Sequence, residues 1–414
     1  MTHICEIIAV GTELLLGNIA NTDAQDISQG LAEIGVHCYF HTTVGDNPER
    51  LRSALRIAKS RADIIITTGG LGPTYDDLTK QTVCAEFGVP LVLHEPTWRR
   101  IQEFFERVGR PVTQNNAQQA MLPEGGVILE NSWGTAPGCG FEAGGVRVYM
   151  LPGPPRECLP MFRSCLMPHL RGLSDKTLVS RNIRIFGLGE SAVEDKLRDI
   201  MESASNPTLA PYAKEGEVLL RVTASAATEE EAHALAEPMV ARVCEIMGDV
   251  VYSTDGSTLE ETVLRLLVER GLRLAVAESC TGGLIADRIT GVPGASKSFM
   301  GGVVAYFTSV KTNLLGVPAA LMERYGVVSP EVSSAMAQGV CKATGAELGL
   351  GVTGLAGPLG DGSDTPVGTV CITLHDARTG TDTTVTRNFG DSRHRVRIMA
   401  SGTAIDMVRQ LTML

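Results

Sequence analysis

"LAVAESCTGGLIADRIT", Leu274–Thr290, decides how the second half of this chain is read. The apolar run is short and ends in Glu278-Ser279-Cys280-Thr281-Gly282-Gly283, after which apolar residues recur at helical spacing. A strand therefore hands over to a helix through a turn that holds two consecutive glycines. Such a junction presents backbone N–H groups to an anion. It could also hold a nucleophile beside an oxyanion hole, or Ser279 could simply cap the helix. The turn alone leaves all three open.

Outward from this turn, 254–414 reads as one unit. A helix, "DGSTLEETVLRLLVERG" (255–271), leads into the strand. "GGVVAYFT" (301–308), a helix from Pro330 to about Ala343, and "ELGLGVTGLAG" (347–357) follow. Two further strands, "VGTVCITL" and "TTVTRNF", precede a last helix at roughly 393–412. This is an α/β domain with an antiparallel element. At the other end, 1–170 also alternates: strands at 4–10, 36–44, 62–70 and 147–151, helical patterns at 21–34, 48–60, 78–87 and 95–108. That is a doubly wound α/β domain, whose ligand belongs at the carboxyl ends of the strands. Between them, 171–253 reads βαβα, a small α+β domain with nothing catalytic in it.

The 414 residues carry a net charge of −11 and no Lys/Arg-rich block, which argues against a nucleic-acid surface. No apolar run reaches the ~18 residues of a membrane span. The N-terminus, "MTHICEIIAVGTELLLGN", lacks a basic segment and reads as a first strand, not a signal peptide. Ten scattered cysteines without a C-x-x-C pair suit the reduced thiols of a cytoplasmic protein.

A nucleophilic Ser279 needs a base. His375 and His394 are the histidines of this domain, and no pattern ties either to a triad. Lys311, in "AYFTSVKTNLLG", follows a strand and could act as base if burial lowers its pKa; on its own it reads as a solvated helix-start lysine. Cys280 reads as a small buried packer. The glycine-rich stretch 351–369, with Gly354 and Gly357, lets backbone approach a phosphate, although no G-K-[ST] makes it a P-loop. "GDSRHRVR" supplies Arg393, Arg395 and Arg397 at a helix start, where arginine could grip phosphate. In the first domain, "TTGGLGPTYDDLTKQ" (67–81) joins strand to helix through Gly69, Gly70 and Gly72. Asp76 and Asp77 behind it could be an ordinary acidic helix start or could hold a divalent ion. Glu13, Asn18 and Asp46 stand at neighbouring strand ends.

"AESCTGG", "GGVVAYFTSVKTNLLGV", "GVVSPEVSSAMAQG", "GVTGLAGP", "PVGTV" and "GDSRHRVR", in that order, resemble the nicotinamide mononucleotide deamidase domain of the CinA family. The resemblance implies Ser279 as nucleophile and Lys311, 32 positions on, as its base, with Tyr306 on the same strand and Arg393 on the phosphate, beside an inserted Ser392. It implies oxyanion stabilisation by the amides of Thr281, Gly282 and Gly283, a structural Cys280, and ammonia and nicotinic acid mononucleotide as products, without a metal. The first domain resembles the same family's N-terminal domain, which shares the fold of molybdopterin-binding proteins. Leu71 stands where those binders carry a second threonine in T-G-G-T-G. This second resemblance implies hydrolysis of ADP-ribose to AMP and ribose 5-phosphate with a divalent cation (Mg, Mn or Co) and potassium. Asp76 and Asp77 are the first choice as metal ligands, Glu13 and Asp46 the second. A homodimer is also implied. The competing expectation is a competence- or damage-associated interaction protein that binds a nucleotide or pterin without turnover.

Overall fold

In the computed structural model, which describes residues 3–172, 177–214 and 216–413, the strand β1 (Ile4–Val10) has both faces covered. Ile7 joins a core with Ile27, Leu31 and Phe162, while Ile8 joins a second with Leu51, Leu55 and Val83. Successive residues of a strand face opposite ways, so a continuous apolar run is what a central parallel strand requires. Glu6 interrupts that run without breaking it. It is fully buried, and Arg61 grips its carboxylate through Nε and Nη2, each at 2.8 Å.

Two compact units form, Met1–Val179 with Ala224–Ala234, and Ser180–Thr223 with Leu235–Leu414. In the first, β2 (His37–Val44), β3 (Ile64–Thr68), β4 (Leu91–Leu93), β5 (Met121–Pro123), β6 (Val127–Leu129), β7 (Gly138–Ala143) and β8 (Val146–Leu151) follow β1. The main sheet has the order β2-β1-β3-β8-β7-β6. Its first four strands are parallel; β7 and β6 add antiparallel. Around it lie α1 (Thr12–Leu15), α2 (Thr22–Glu33), α3 (Pro48–Lys59), α4 (Thr79–Phe87), α5 (Glu95–Arg107), α6 (Pro155–Met161) and α7 (Met167–Arg171). From β1 the chain moves to β2 on one side, then to β3 on the other, which puts the topological switch point at the carboxyl ends of β1 and β3.

After α7, β9 (Thr177–Phe186), α8 (Glu190–Ser203), β10 (Thr208–Lys214), β11 (Glu217–Ala226), α9 (Glu229–Met247) and β12 (Val251–Ser253) give a sheet ordered β10-β11-β9-β12. The βαβα reading is thus short by two strands. β10 carries Pro211, which a strand tolerates at an edge, and β10 is an edge. The C-terminal part follows as α10 (Leu259–Arg270), β13 (Leu274–Glu278), α11 (Leu284–Thr290), β14 (Phe299–Val304), α12 (Thr308–Leu315), α13 (Ala319–Tyr325), α14 (Pro330–Thr344), β15 (Leu348–Gly354), β16 (Thr369–Asp376), β17 (Thr381–Asn388) and α15 (Arg393–Met413). Its sheet runs β14-β13-β15-β16-β17, parallel across β14, β13 and β15, antiparallel beyond.

Alternation along β13 positions the site. Leu274 and Val276 face the core shared with Ile285 and Ile405; Ala275 and Ala277 face the core of Val332, Met336 and Val340. The small alanines let α14 close in, and glycines bring it nearer still. A methyl group at Gly351 would lie 2.0 Å from Ser333 O, one at Gly349 2.3 Å from Ala337 O, and one at Gly339, on α14, 2.1 Å from Leu315 O at the end of α12. All ten cysteines are free thiols. Among the described residues, no helix is long and apolar enough to cross a membrane.

Candidate active site

Glu278 ends β13 on the Leu274/Val276 face, and its carboxylate accepts the N–H groups of Gly283 (3.0 Å), Ile285 (3.1 Å) and Ala286 (2.9 Å) at the start of α11. Those are orphan donors of a helix N-terminus. The capping role that the turn suggested for Ser279 thus belongs to Glu278. Ser279 continues the alternation to the other face, toward α12. Its Oγ lies 3.0 Å from Lys311 Nζ, and its own N–H donates to Val352 O at 2.9 Å on β15.

Lys311 has no exposed surface. Nζ also donates to Ala305 O at 2.6 Å and Tyr306 O at 3.5 Å. Burial pushes its pKa down to about 8, against a slight opposing pull from the Cys280 thiol. A neutral amine satisfies both carbonyls with its two protons and turns its lone pair on the serine hydroxyl. The solvated helix-start reading of Lys311 is therefore overturned by burial that only the fold supplies. Cys280 sits in the core, where burial raises its thiol to about 12. It is held as an unreactive thiol.

His375 lies elsewhere. It pairs through β16 with Gly349 near the start of β15, at the edge opposite Ser279, and its Nδ1 is 2.7 Å from Asp382. The structure does not bring His375 into a triad.

The turn departs from one expectation. Gly282 N–H donates to Ser279 O at 3.1 Å, and Gly283 N–H is taken by Glu278. Neither is open to an oxyanion. Among the described residues, the amides of Cys280 and Thr281 donate to no backbone carbonyl and are the ones available.

The three arginines of α15 separate by helical geometry. Positions i and i+4 share a face; i+2 lies roughly opposite. Arg393 donates to Gly357 O and to the Tyr306 hydroxyl, both at 3.1 Å, which ties Arg393, Tyr306 and Gly357 together. Arg397, one turn on, donates through Nε and Nη2 to Thr281 O at 3.2 and 2.9 Å. Arg395 points away and lines a cavity of about 650 Å³ with Glu217 and Met399. Gly354 allows the close approach of β16: a methyl there would lie 2.8 Å from Thr369 O. A larger groove, about 890 Å³ between α12 and α14, holds none of these residues.

In the first unit the expected glycines are laced together at the switch point. Gly69 has φ +94°, and a methyl on it would lie 2.1 Å from Val10 O. Gly70, at φ +68°, abuts Thr79 Oγ1. Gly72 abuts the Asp77 carboxylate. Thr74 donates its hydroxyl to both Asp76 and Asp77. Asp46 accepts from the N–H and hydroxyl of Thr12, both at 2.8 Å, next to Glu13 in α1. Among the described residues, no three His, Cys, Asp or Glu side chains converge as a metal site. Asp76, Asp77, Glu13 and Asp46 therefore do not form one ligand set. Asp76 is exposed and Asp77 half-buried, and the pair suits a Mg²⁺-type ion held by one or two carboxylates together with substrate phosphates, not a cage made by the protein alone. Sequence reasoning missed Lys80, which is buried on α4 and donates to Gln118 O (2.9 Å) and Gln119 O (3.0 Å). Gln118 Nε2 in turn donates to Asp77 O at 2.9 Å, which supports the acidic turn from below. A lysine within helix α4 gave no signal in the sequence.

Comparison with known proteins finds three family matches along the chain. Residues 256–412 match the CinA C-terminal domain, 6–172 a probable molybdopterin binding domain, and 180–253 the damage-inducible protein CinA KH domain. A CinA-like protein of Dictyoglomus turgidum is 48% identical over 406 residues, 98% of each chain. A putative competence-damage inducible protein of Thermoanaerobacter pseudethanolicus is 49% identical over 367 residues, 89% of each. Among solved structures, the protein CinA with unknown function from Thermoplasma acidophilum is 30% identical with a TM-score of 0.38, covering 41% of this chain and 98% of that one. The competence/damage inducible protein CihA from Agrobacterium tumefaciens is 32% identical with a TM-score of 0.35, covering 37% and 96%.

Proposed function

The chain belongs to the CinA family of competence- and damage-inducible proteins, and from that premise we propose that it is a bifunctional hydrolase of pyridine-nucleotide recycling. Its C-terminal domain deamidates nicotinamide mononucleotide. One observation carries this reading: a serine hydroxyl at the end of a parallel strand, 3.0 Å from a fully buried lysine. Neutral Lys311 takes the hydroxyl proton as Ser279 Oγ bonds to the carboxamide carbon. The oxyanion that forms accepts hydrogen bonds from the Cys280 and Thr281 amides. Collapse breaks the C–N bond, and the Lys311 ammonium returns the proton to the departing ammonia. Water then enters by the same route and releases nicotinic acid mononucleotide from Ser279. Arg393, held by Tyr306 and Gly357, meets the phosphate.

In the N-terminal domain we assign hydrolysis of ADP-ribose to AMP and ribose 5-phosphate. Gly69 and Gly70 let the pyrophosphate approach the backbone at the switch point. Asp76 and Asp77 would share a divalent cation with it; that ion would neutralise charge on the phosphates. Potassium, homodimerisation and a cytoplasmic setting complete the proposal. A second reading, a nucleotide or pterin binder without turnover, is favoured for this domain because, among the described residues, no three His, Cys, Asp or Glu side chains converge. Paired assays on the full chain test both halves: ammonia from nicotinamide mononucleotide, and AMP from ADP-ribose with and without Mg²⁺, Mn²⁺ or Co²⁺. No ammonia above the Ser279→Ala background would defeat the deamidase assignment. AMP release that ignores the metal, or no AMP at all, would favour the binder.

A further inference from the structure

The turn that carries the nucleophile is built from a backbone with little stiffness of its own. Gly282 and Gly283 stand in succession at φ +60° and +92°, where glycine has no steric penalty but the most freedom to lose. The turn's own backbone bonds, Gly282 N–H to Ser279 O and Leu284 N–H to Thr281 O, are reinforced by contacts from outside it. Glu278 holds its far end through three amides. Its near end is the peptide unit between Thr281 and Gly282. The N–H of that unit donates to Ser279 O, and its carbonyl accepts both hydrogen bonds from Arg397. A planar peptide fixed at both ends cannot rotate, so the guanidinium reaches Ser279 through one rigid group. Among the described residues Arg397 has no carboxylate in ion-pair contact. Its hydrogen bonds are spent on this carbonyl alone.

We infer that Arg397 is a positioning residue for Ser279, acting through the Thr281–Gly282 peptide, and is distinct in role from Arg393 one turn earlier. This rests on Ser279 being the nucleophile. The same clamp orients the Thr281 amide, so serine and oxyanion donor are set together. Arg393 meets the ligand; Arg397 never does. The two therefore fail differently when removed.

The test compares Arg397→Ala, Arg397→Lys, Arg393→Ala and Arg395→Ala in the full chain, with two readouts. With nicotinamide mononucleotide, Arg397→Ala should lower kcat on the order of a hundredfold, the scale of a misplaced reacting group. KM should stay within about twofold, whereas Arg393→Ala raises KM. Arg397→Lys, which retains one donor to the carbonyl, should recover part of the loss. The second readout is the rate at which a fluorophosphonate labels Ser279, which needs the serine and its base but no nucleotide. Arg397→Ala should slow labelling by a similar factor, and Arg395→Ala, whose side chain lines the separate cavity with Glu217 and Met399, should leave it unchanged. Circular dichroism and the thermal midpoint establish that each variant is folded. If the wild type labels at Ser279 but releases no ammonia, the substrate assignment fails and the labelling rates still decide the role of Arg397. A raised KM with kcat unchanged, or a labelling rate equal to wild type, would overturn the inference. If Arg397→Ala does not fold, Arg397→Lys decides alone: full kcat and KM altered would count against it.

Discussion

Both candidate sites stand at the carboxyl ends of parallel strands, yet they are built in opposite ways. The C-terminal one is assembled before any ligand arrives: the Ser279 hydroxyl and the Lys311 amine are in contact, and Lys311 is wholly buried. The N-terminal one is a set of separate polar turns, each satisfied locally: Thr74 with Asp76 and Asp77, Thr12 with Asp46. Proton transfer explains the contrast. A lysine becomes a base near neutrality only when burial disfavours its charge, so that site must be closed and dry. In the proposed function, carboxylates that are to share an ion with a phosphate ligand must stay charged and accessible, so that site would stay open until the ligand supplied the missing oxygens.

The sharpest test of this contrast is loss of the dyad. Ser279→Ala and Lys311→Ala should each lower deamidation by roughly 10³–10⁴-fold or more, and the double variant should lose no more than either, because both serve one step. AMP release from ADP-ribose, measured in the same preparations, should not change. The reverse experiment is next. Asp76→Asn with Asp77→Asn should remove metal-dependent ADP-ribose cleavage and leave ammonia release intact. Loss of both activities in a folded protein would mean that the sites are not independent.

Acidity gives the third test. With Lys311 lowered to about 8, kcat/KM for deamidation should rise about tenfold per pH unit up to that value and then level off. An inflection near ~10.4, as for a free lysine, would show that burial does not act on it. Stability should carry the same signature. The folded pKa lies below the unfolded one, so the unfolded chain binds more protons between the two values. Stability of the wild type, compared with Lys311→Met by thermal unfolding, should therefore rise as pH climbs from about 8 toward the ordinary 10.5. Fourth, Arg393→Ala should raise KM for nicotinamide mononucleotide roughly ten- to a hundredfold, the range of a hydrogen bond to a charged group. Tyr306→Phe should do the same more mildly, since it removes only the hydroxyl that holds Arg393. Smallest of all, Cys280→Ala should change kcat by less than about twofold and lower stability by about 1 kcal/mol, as for a small buried packer. A dead Cys280→Ala beside an active Ser279→Ala would make the thiol the nucleophile.

How much of this was legible in the sequence differs between the two sites for the same reason. Strand-turn-helix at 274–290, the helices from Pro48 and Pro330, and the buried strand at 64–68 follow from local pattern and caps. The pairing of Ser279 with Lys311 does not; it came from resemblance, since burial of a lysine is a property of the layers around it. Roles that depend on direction were misread. Nothing local says that Glu278, rather than Ser279, caps α11, although the alternation along β13 contained that answer. Nothing in "GDSRHRVR" separates three arginines until helical phase is applied to them. β4 to β6 escaped because three-residue strands have too few residues to show a period. The β7–β8 hairpin was missed as well, because 134–142 reads as a turn; Gly144 and Gly145, both at positive φ, are the turn the hairpin uses.

The glycines of β15 and α14 have a consequence for catalysis that no polar contact shows. Ser279 hangs from β15 through its N–H; β15 lies against α14 at Gly349 and Gly351; α14 lies against the end of α12 at Gly339; and α12 carries Lys311 back to Ser279. The circuit closes on itself, and at each of its three glycine junctions a backbone oxygen occupies the place of a missing methyl. The catalytic gap is thus gauged by absent atoms, like a shim left out of a machined stack. A single alanine at Gly351 or Gly339 would touch no reacting group, yet it would be read out as an altered distance between a hydroxyl and an amine two layers away.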